Sequence, residues 1–184
     1  MPETEYWNSF FNAPKLIETM FLNTRLQGNI LELGSGYGTF TVPASRYTSG
    51  KIYALDIEKE LIKNLEDYCV TQKINNIVCQ EYDFIENTLP FHDKYFEHVM
   101  IYNLLHLEDP HYLLHEAKRV LKNNGIISII HWRNDIITPR GPSLEIRPST
   151  FQCTHWLKEV GFQKITNLSV EHCAFYHFGI IAYK

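Results

Sequence analysis

The sequence predicts a doubly wound α/β domain, a largely parallel sheet with helices on both faces. Three observations carry this. Strand-like and helix-like segments alternate along the chain. A glycine-rich turn follows the first strand directly. And 184 residues at 45% hydrophobic composition suit one compact core better than two.

The elements follow in order. Residues 13–24 predict a helix, with Asn12 as cap and Pro14 in its first turn. Residues 29–33, Asn-Ile-Leu-Glu-Leu, predict a short buried strand. The glycine turn at 34–38 leads into a helical stretch to about residue 48, where Pro43 is tolerable only in the first turn. Residues 51–56 predict a second strand. Leu61, Leu65 and Cys69 recur at helical spacing over residues 58–70. Residues 76–79 predict a third strand and 96–102 a fourth. Asp109-Pro110 opens a helix carrying Leu113, Ala117 and Val120 on one side. Asn124-Gly125 turns the chain into a fifth strand, 126–132. Residues 133–149, with Pro139, Gly141, Pro142 and Pro148, predict a long ordered loop, a class often functional. A helix near 150–160 ends at Gly161, and two strands near 162–170 and 174–183 complete the chain.

A net charge of −4 with no Lys/Arg block argues against broad, charge-driven nucleic-acid binding. No apolar stretch approaches a membrane span, and the N-terminus lacks a secretory pattern, so the expected location is the cytoplasm. Cys69, Cys79, Cys153 and Cys173 form no Cys-x-x-Cys pair and are expected to be reduced thiols. The histidines form no compact ligand set, so no metal site is expected.

The central signal is Leu31-Glu32-Leu33-Gly34-Ser35-Gly36-Tyr37-Gly38. Glycines let the chain turn tightly and bring bare backbone against a ligand. The spacing is Gly-x-Gly-x-Gly. In the dinucleotide fingerprint the third glycine would fall on Thr39, so a pyrophosphate has a poorer cradle here than a cofactor without phosphates. Asp56 ends the second strand twenty residues past Gly36, where a carboxylate can accept both hydroxyls of a ribose. Glu32 lies within the first strand and needs partners there. These are a salt link, backbone amides, or the ammonium of a cofactor.

These residues, with Asp83-Phe84, Asn103-Leu104-Leu105-His106 and Arg119-Val120-Leu121-Lys122 before a glycine turn, occur in one order. Together they resemble the class I S-adenosylmethionine-dependent methyltransferases, in the small-molecule branch typified by the ubiquinone-biosynthesis type. The resemblance spans roughly residues 28–132. It implies a seven-stranded sheet with an antiparallel last strand and S-adenosylmethionine as cofactor. By position it implies that Glu32, Gly34, Ser35, Gly36, Asp56, Ile57, Asp83, Phe84 and Asn103 bind the cofactor. Asp56 would take the ribose, Ile57 would press on the adenine, Asp83 would accept from its amino group with the Phe84 backbone beside it, and Asn103 would lie near the methionine end. The chain then reads as one domain over 1–184: an N-terminal helical or lid segment (1–27), a cofactor-binding core (28–132), an expected substrate loop (133–149), and a C-terminal helix and strand pair (150–184). The chain departs from the pattern at Glu97, where aspartate is common, at Lys122-Asn123-Asn124-Gly125, and at the bulky Tyr37. The implied reaction is methyl transfer by direct displacement to a small-molecule acceptor, polar or anionic. A non-catalytic cofactor-binding module and a nicotinamide-dependent oxidoreductase are the alternatives.

Such a reaction mainly needs alignment, and a base only when the acceptor must lose a proton. Candidates lie at the carboxyl ends of the strands. His106 and His131 are candidate bases, each with a structural hydrogen bond as the competing reading. Trp132, Arg133, Arg140, Arg147 and His177 are candidate acceptor-binding residues. The arginines either clamp an anion or pair with acids such as Asp135 and Glu145 to order the loop. The aromatic segment Tyr6-Trp7-Asn8-Ser9-Phe10-Phe11 either lids the cleft, packs on the domain edge or joins a dimer, and monomer and homodimer both stay open.

Overall fold

A computed structural model describes residues 4–184. Seven strands form one sheet in the order β3-β2-β1-β4-β5-β7-β6. They are β1 (Asn29–Leu33), β2 (Ile52–Asp56), β3 (Ile77–Glu81), β4 (Phe96–Tyr102), β5 (Leu121–Trp132), β6 (Gln163–Leu168) and β7 (His177–Tyr183). The first five pair in parallel, and β7 runs antiparallel between β5 and β6. This is the predicted doubly wound sheet with its antiparallel last strand.

Strand alternation feeds two cores. Leu31, Leu33, Leu55, Val99 and Ile101 face the helices α5 (Pro110–Val120) and α6 (Thr150–Val160). Ile30, Ile52, Met100 and Ile130 face α2 (Ala13–Met20) and α3 (Thr41–Ala44). On that second face α4 (Lys59–Thr71) seats Leu65 and Cys69 on Ala54. Along the inner strands neither face meets water, which is why they read as apolar runs, whereas the edge strand β6 is largely exposed.

The helix boundaries follow local chemistry. Asn12 and Asp109 cap α2 and α5 by accepting from Lys15 and Tyr112 N–H at 3.3 and 3.0 Å. Ser149 and Gln152 form a capping box on α6, and Gly161 ends it at φ 87°. One such cap stabilises by about 1 kcal/mol. Three predicted boundaries shift. The first long helix stops at Met20 rather than 24, because Leu22 and Asn23 turn left-handed at φ 51° and 54°. The stretch after the glycine turn is one short helix and a 3₁₀ turn (Ser45–Tyr47), with Pro43 in the first turn, where its missing N–H costs nothing. Residues 122–125 bulge out opposite Glu97 within β5, with Asn124 at φ 62°, instead of forming a separate turn. A short helix precedes these elements, α1 (Thr4–Asn8), and carries Trp7.

The strand order reverses between β1 and β4. In open α/β sheets the carboxyl ends of the strands at such a switch point frame the ligand crevice. Among the described residues no helix is long and apolar enough to cross a membrane.

Candidate active site

A cleft of about 550 Å³ opens at this switch point. That volume is in the range of small-molecule and cofactor sites. One end is lined by Gly34, Ser35, Gly36, Asp56, Ile57, Asp83, Phe84 and Asn103. The other is lined by Trp7, Phe40, Tyr102, His106, Leu107, Trp132 and residues 140–142.

The first end is built from backbone. Gly34, Gly36 and Gly38 hold φ at 73°, 52° and 74°, the left-handed region that glycine enters without cost. Gly34 and Ser35 N–H both donate to Leu55 O, at 2.8 and 3.0 Å, tying the turn to β2. A Cβ on Gly34 would sit 3.0 Å from the Leu104 side chain. Asp56 accepts Gly36 N–H at 2.8 Å on Oδ2 and Glu58 N–H at 2.9 Å on Oδ1. A carboxylate has about four lone-pair sites. Two are therefore filled and two are left for hydroxyl donors.

Asp83 spends Oδ1 on the N–H groups of Ile85 and Glu86, at 3.0 and 3.1 Å. Its other oxygen has no described partner. Ile57 is 59% exposed and Ile85 43%, an unusual pair of open aliphatic groups beside buried Phe84. A flat, weakly polar ring would cover them. Asn103 ends β4 at φ 59°, with its amide oxygen and nitrogen both buried and both unpaired. Buried polar atoms are rarely left so, and an unpaired amide of this kind fits a ligand that both donates and accepts. Ser35 Oγ is orphaned in the same way. On these observations the residues fit an adenosyl amino acid, with spare carboxylate lone pairs on Asp56 and Asp83, open aliphatic surface at Ile57 and Ile85, and an unpaired amide at Asn103.

Glu32 does not line this cleft. It is fully buried beneath the turn, with Oε2 accepting from Thr41 Oγ1 and Oε1 unpaired. Burial raises its pKa to about 8; the Thr41 bond opposes this, and the Asp56 charge adds to it. Its described partner, the Thr41 hydroxyl, is not among the salt link, backbone amides and cofactor ammonium that the sequence left open.

The second end is aromatic. Trp132 closes β5 and meets Trp7 and Phe10 edge-on, with centroids 6.4 and 5.3 Å apart. Phe40 packs edge-on against Tyr102 at 5.1 Å. Gly141 lays bare backbone against this surface, since a Cβ there would sit 2.9 Å from both Trp132 and Arg147. Phe40 and Tyr102 were not singled out in the sequence. The only signal for them was place: one follows the glycine turn, the other ends a strand at the switch point.

The three arginines part company. Arg147 is buried and does not line the cleft. It donates to the carbonyls of Pro142, Arg133 and Arg140 and to Thr138 Oγ1, between 2.7 and 3.1 Å. It is the internal strut of residues 133–149. Arg133 forks onto Asp135 at 2.9 and 2.7 Å, as one of the sequence readings allowed. Arg140 lines the cleft, and its guanidinium has no described hydrogen bond or ion pair.

The histidines also separate. His106 lines the cleft, and its Nδ1 is 3.2 Å from His131 Nε2. His131 is buried behind it, with Nδ1 3.1 Å from Trp132 O. His177 lies under Trp132, centroids 4.1 Å apart, with both ring nitrogens unpaired, and it does not line the cleft. Burial holds it well below the usual histidine range, so it packs as a neutral ring.

Residues 31–129 match the model of a methyltransferase domain. An uncharacterized methyltransferase of Schizosaccharomyces pombe is 31% identical over 134 residues, 68% of this chain. The chain spans about half of that protein's length, 46%. A crystal structure of a SAM dependent methyltransferase from Aquifex aeolicus superposes with a TM-score of 0.81 at 22% identity, covering 98% of this chain and 93% of that one. The cyclase SpnF superposes with a TM-score of 0.76 at 16% identity, over 93% and 80% of the two chains.

Proposed function

We propose, from the premise that the chain belongs to the methyltransferase domain family, that it transfers a methyl group from S-adenosylmethionine to a small-molecule acceptor by direct displacement. The observation that supports this most is the pairing of two unlike ends in one cleft. One end offers spare carboxylate lone pairs and an unpaired amide; the other offers aromatic walls.

When bound, S-adenosylmethionine supplies a methyl group on a positively charged sulfur that leaves readily. The chain then has three tasks. Asp56, Asp83 and Asn103 hold the donor, with Gly34 and Gly36 bringing backbone close. Trp132, Phe40 and Tyr102 hold the acceptor in line with the methyl carbon, which converts an encounter into a local event. Trp7 and residues 140–142 keep water out. Arg140, whose guanidinium is unspent, pairs with a polar or anionic group on the acceptor.

The test is calorimetric titration with S-adenosylhomocysteine, followed by a labelled-methyl transfer assay over small acceptors. Saturable binding in the micromolar range is expected, and no detectable binding defeats the reading. The likeness to a cyclase favours a second reading, a cofactor-binding domain with another reaction, since a fold hosts several chemistries. Binding without transfer to any acceptor would select it.

A further inference from the structure

The two histidines at the cleft carry more than proximity. Trp132 O can only accept a hydrogen bond. His131 Nδ1, 3.1 Å from it, must therefore carry the proton. His131 is fully buried, and burial lowers its pKa to about 4, so its ring is neutral and its Nε2 is a bare acceptor. His106 Nδ1, 3.2 Å from that nitrogen, must then be the donor. A neutral His106 fixed as the Nδ1–H tautomer has its remaining lone pair on Nε2. That nitrogen lies on the far side of the ring from the His131 bond and has no described hydrogen bond.

We infer that His106 Nε2 is the proton acceptor of the reaction, with His131 as the positioning residue that sets its tautomer, and that the acceptor substrate carries a removable proton. This rests on the methyl-transfer reading. The step balances. The oxygen or nitrogen of the acceptor forms a bond to the methyl carbon, and the carbon–sulfur pair returns to sulfur. The acceptor's proton moves to Nε2. The imidazolium so formed takes up the positive charge that the sulfonium loses, and it later releases its proton to water. Its Nδ1–H bond to His131 survives protonation unchanged, so no rearrangement is needed within the turnover.

The groups around His106 agree with a neutral resting base. Burial lowers its pKa, and the Arg147 charge adds to this. His131 faces it from β5, and Glu108 and Glu145 share with it a second, shallower groove that also holds Arg147. A base must be unprotonated to act. Transfer is therefore retained at neutral pH and lost as pH falls through the His106 value, which lies under the ordinary 6.5.

Histidine ¹⁵N NMR on the full chain tests this, with His106 assigned through His106→Gln. Wild-type His106 is expected to be neutral at pH 7 with its proton on Nδ1, and His131→Phe is expected to move that proton toward Nε2. A wild-type His106 protonated on Nε2 overturns the inference, whether or not the His131 variant folds. In the transfer assay, phenols and alcohols are expected to be methylated and tertiary amines and thioethers to be refused. His106→Gln should reduce transfer about a hundredfold or more while S-adenosylhomocysteine binding stays unchanged. Preferred methylation of aprotic acceptors, or an unaffected His106→Gln enzyme, also overturns it. Failure of the wild type to bind S-adenosylhomocysteine would instead defeat the methyl-transfer reading and leave the tautomer result standing.

Discussion

The two ends of the cleft are made differently. The end proposed for the cofactor lies at strand termini, its turn and its carboxylate anchored by backbone hydrogen bonds: Gly34 and Ser35 on Leu55, Asp56 on Gly36 and Glu58. The acceptor end consists of side chains that arrive from α1, the turn after β1, β4, β5 and the loop 133–149. They are held by ring contacts, by the His106–His131 hydrogen bond and by the buried Arg147 guanidinium. Backbone anchoring reproduces one shape whatever surrounds it, which suits a fixed cofactor. Side-chain assembly can change without disturbing the sheet, which suits the end proposed for the acceptor. Damage at one end should then leave the other working.

The largest break is expected at Asp56. Two hydrogen bonds to a charged group contribute about 1.5–3 kcal/mol each, so Asp56→Ala should weaken S-adenosylhomocysteine binding at least about a hundredfold by calorimetry. Retained affinity would remove Asp56 from the ribose site.

Glu32 sharpens the contrast, because it lies under the cofactor end without touching the cleft. Its carboxyl is raised from 4.5 to about 8, so it favours the folded state below pH 4.5 and that contribution is lost as pH climbs toward 8. Glu32→Gln keeps an acceptor for Thr41 and cannot ionise. The variant should gain a few kcal/mol over the wild type at pH 9 and almost nothing at pH 4, read from denaturant midpoints. Parallel pH profiles would show that Glu32 ionises freely in the folded protein.

Arg147→Leu should act only on the acceptor end. It strips four hydrogen bonds from residues 133–149, on the order of 2–3 kcal/mol of local order. Faster amide exchange across the loop and a raised acceptor KM are expected, with cofactor affinity unchanged. A loss of cofactor affinity would show that the two ends are coupled.

The smallest effects separate the remaining arginines. Arg140→Ala should raise acceptor KM about tenfold, worth ~1.4 kcal/mol. Arg133→Ala should change KM by less than about twofold, since its partner is an exposed Asp135. Equal effects would mean that neither meets the acceptor directly.

That Gly34, Gly36 and Asp56 come together at one end of a cleft was largely legible before folding, and these residues show why. Each sits at a strand terminus, and a strand terminus is marked locally by where an apolar run stops. The boundary at Gly161 was legible for the same reason: a left-handed cap asks for glycine wherever the helix lies. Glu32 was harder. Its place in a buried strand was plain, but its partner Thr41 lies on another element, and nothing in the spacing excluded the cleft. Phe40 and Tyr102 were illegible, because an aromatic residue at a strand end looks the same whether it lines a cleft or fills a core.

The amino-acid order by itself determined the alternation of strands and helices, the bare turn, and the acid twenty residues beyond it, since these depend on short-range sterics and hydrophobic period. Tertiary structure alone decided what the polar groups do. It folded Arg147 inward as a strut and left Arg140 unspent. It sank His177 beneath Trp132, and it set the proton on His106 through His131 and a carbonyl. A charge or a tautomer is fixed by whichever partner desolvates or bonds it, and that partner is chosen only when distant segments meet.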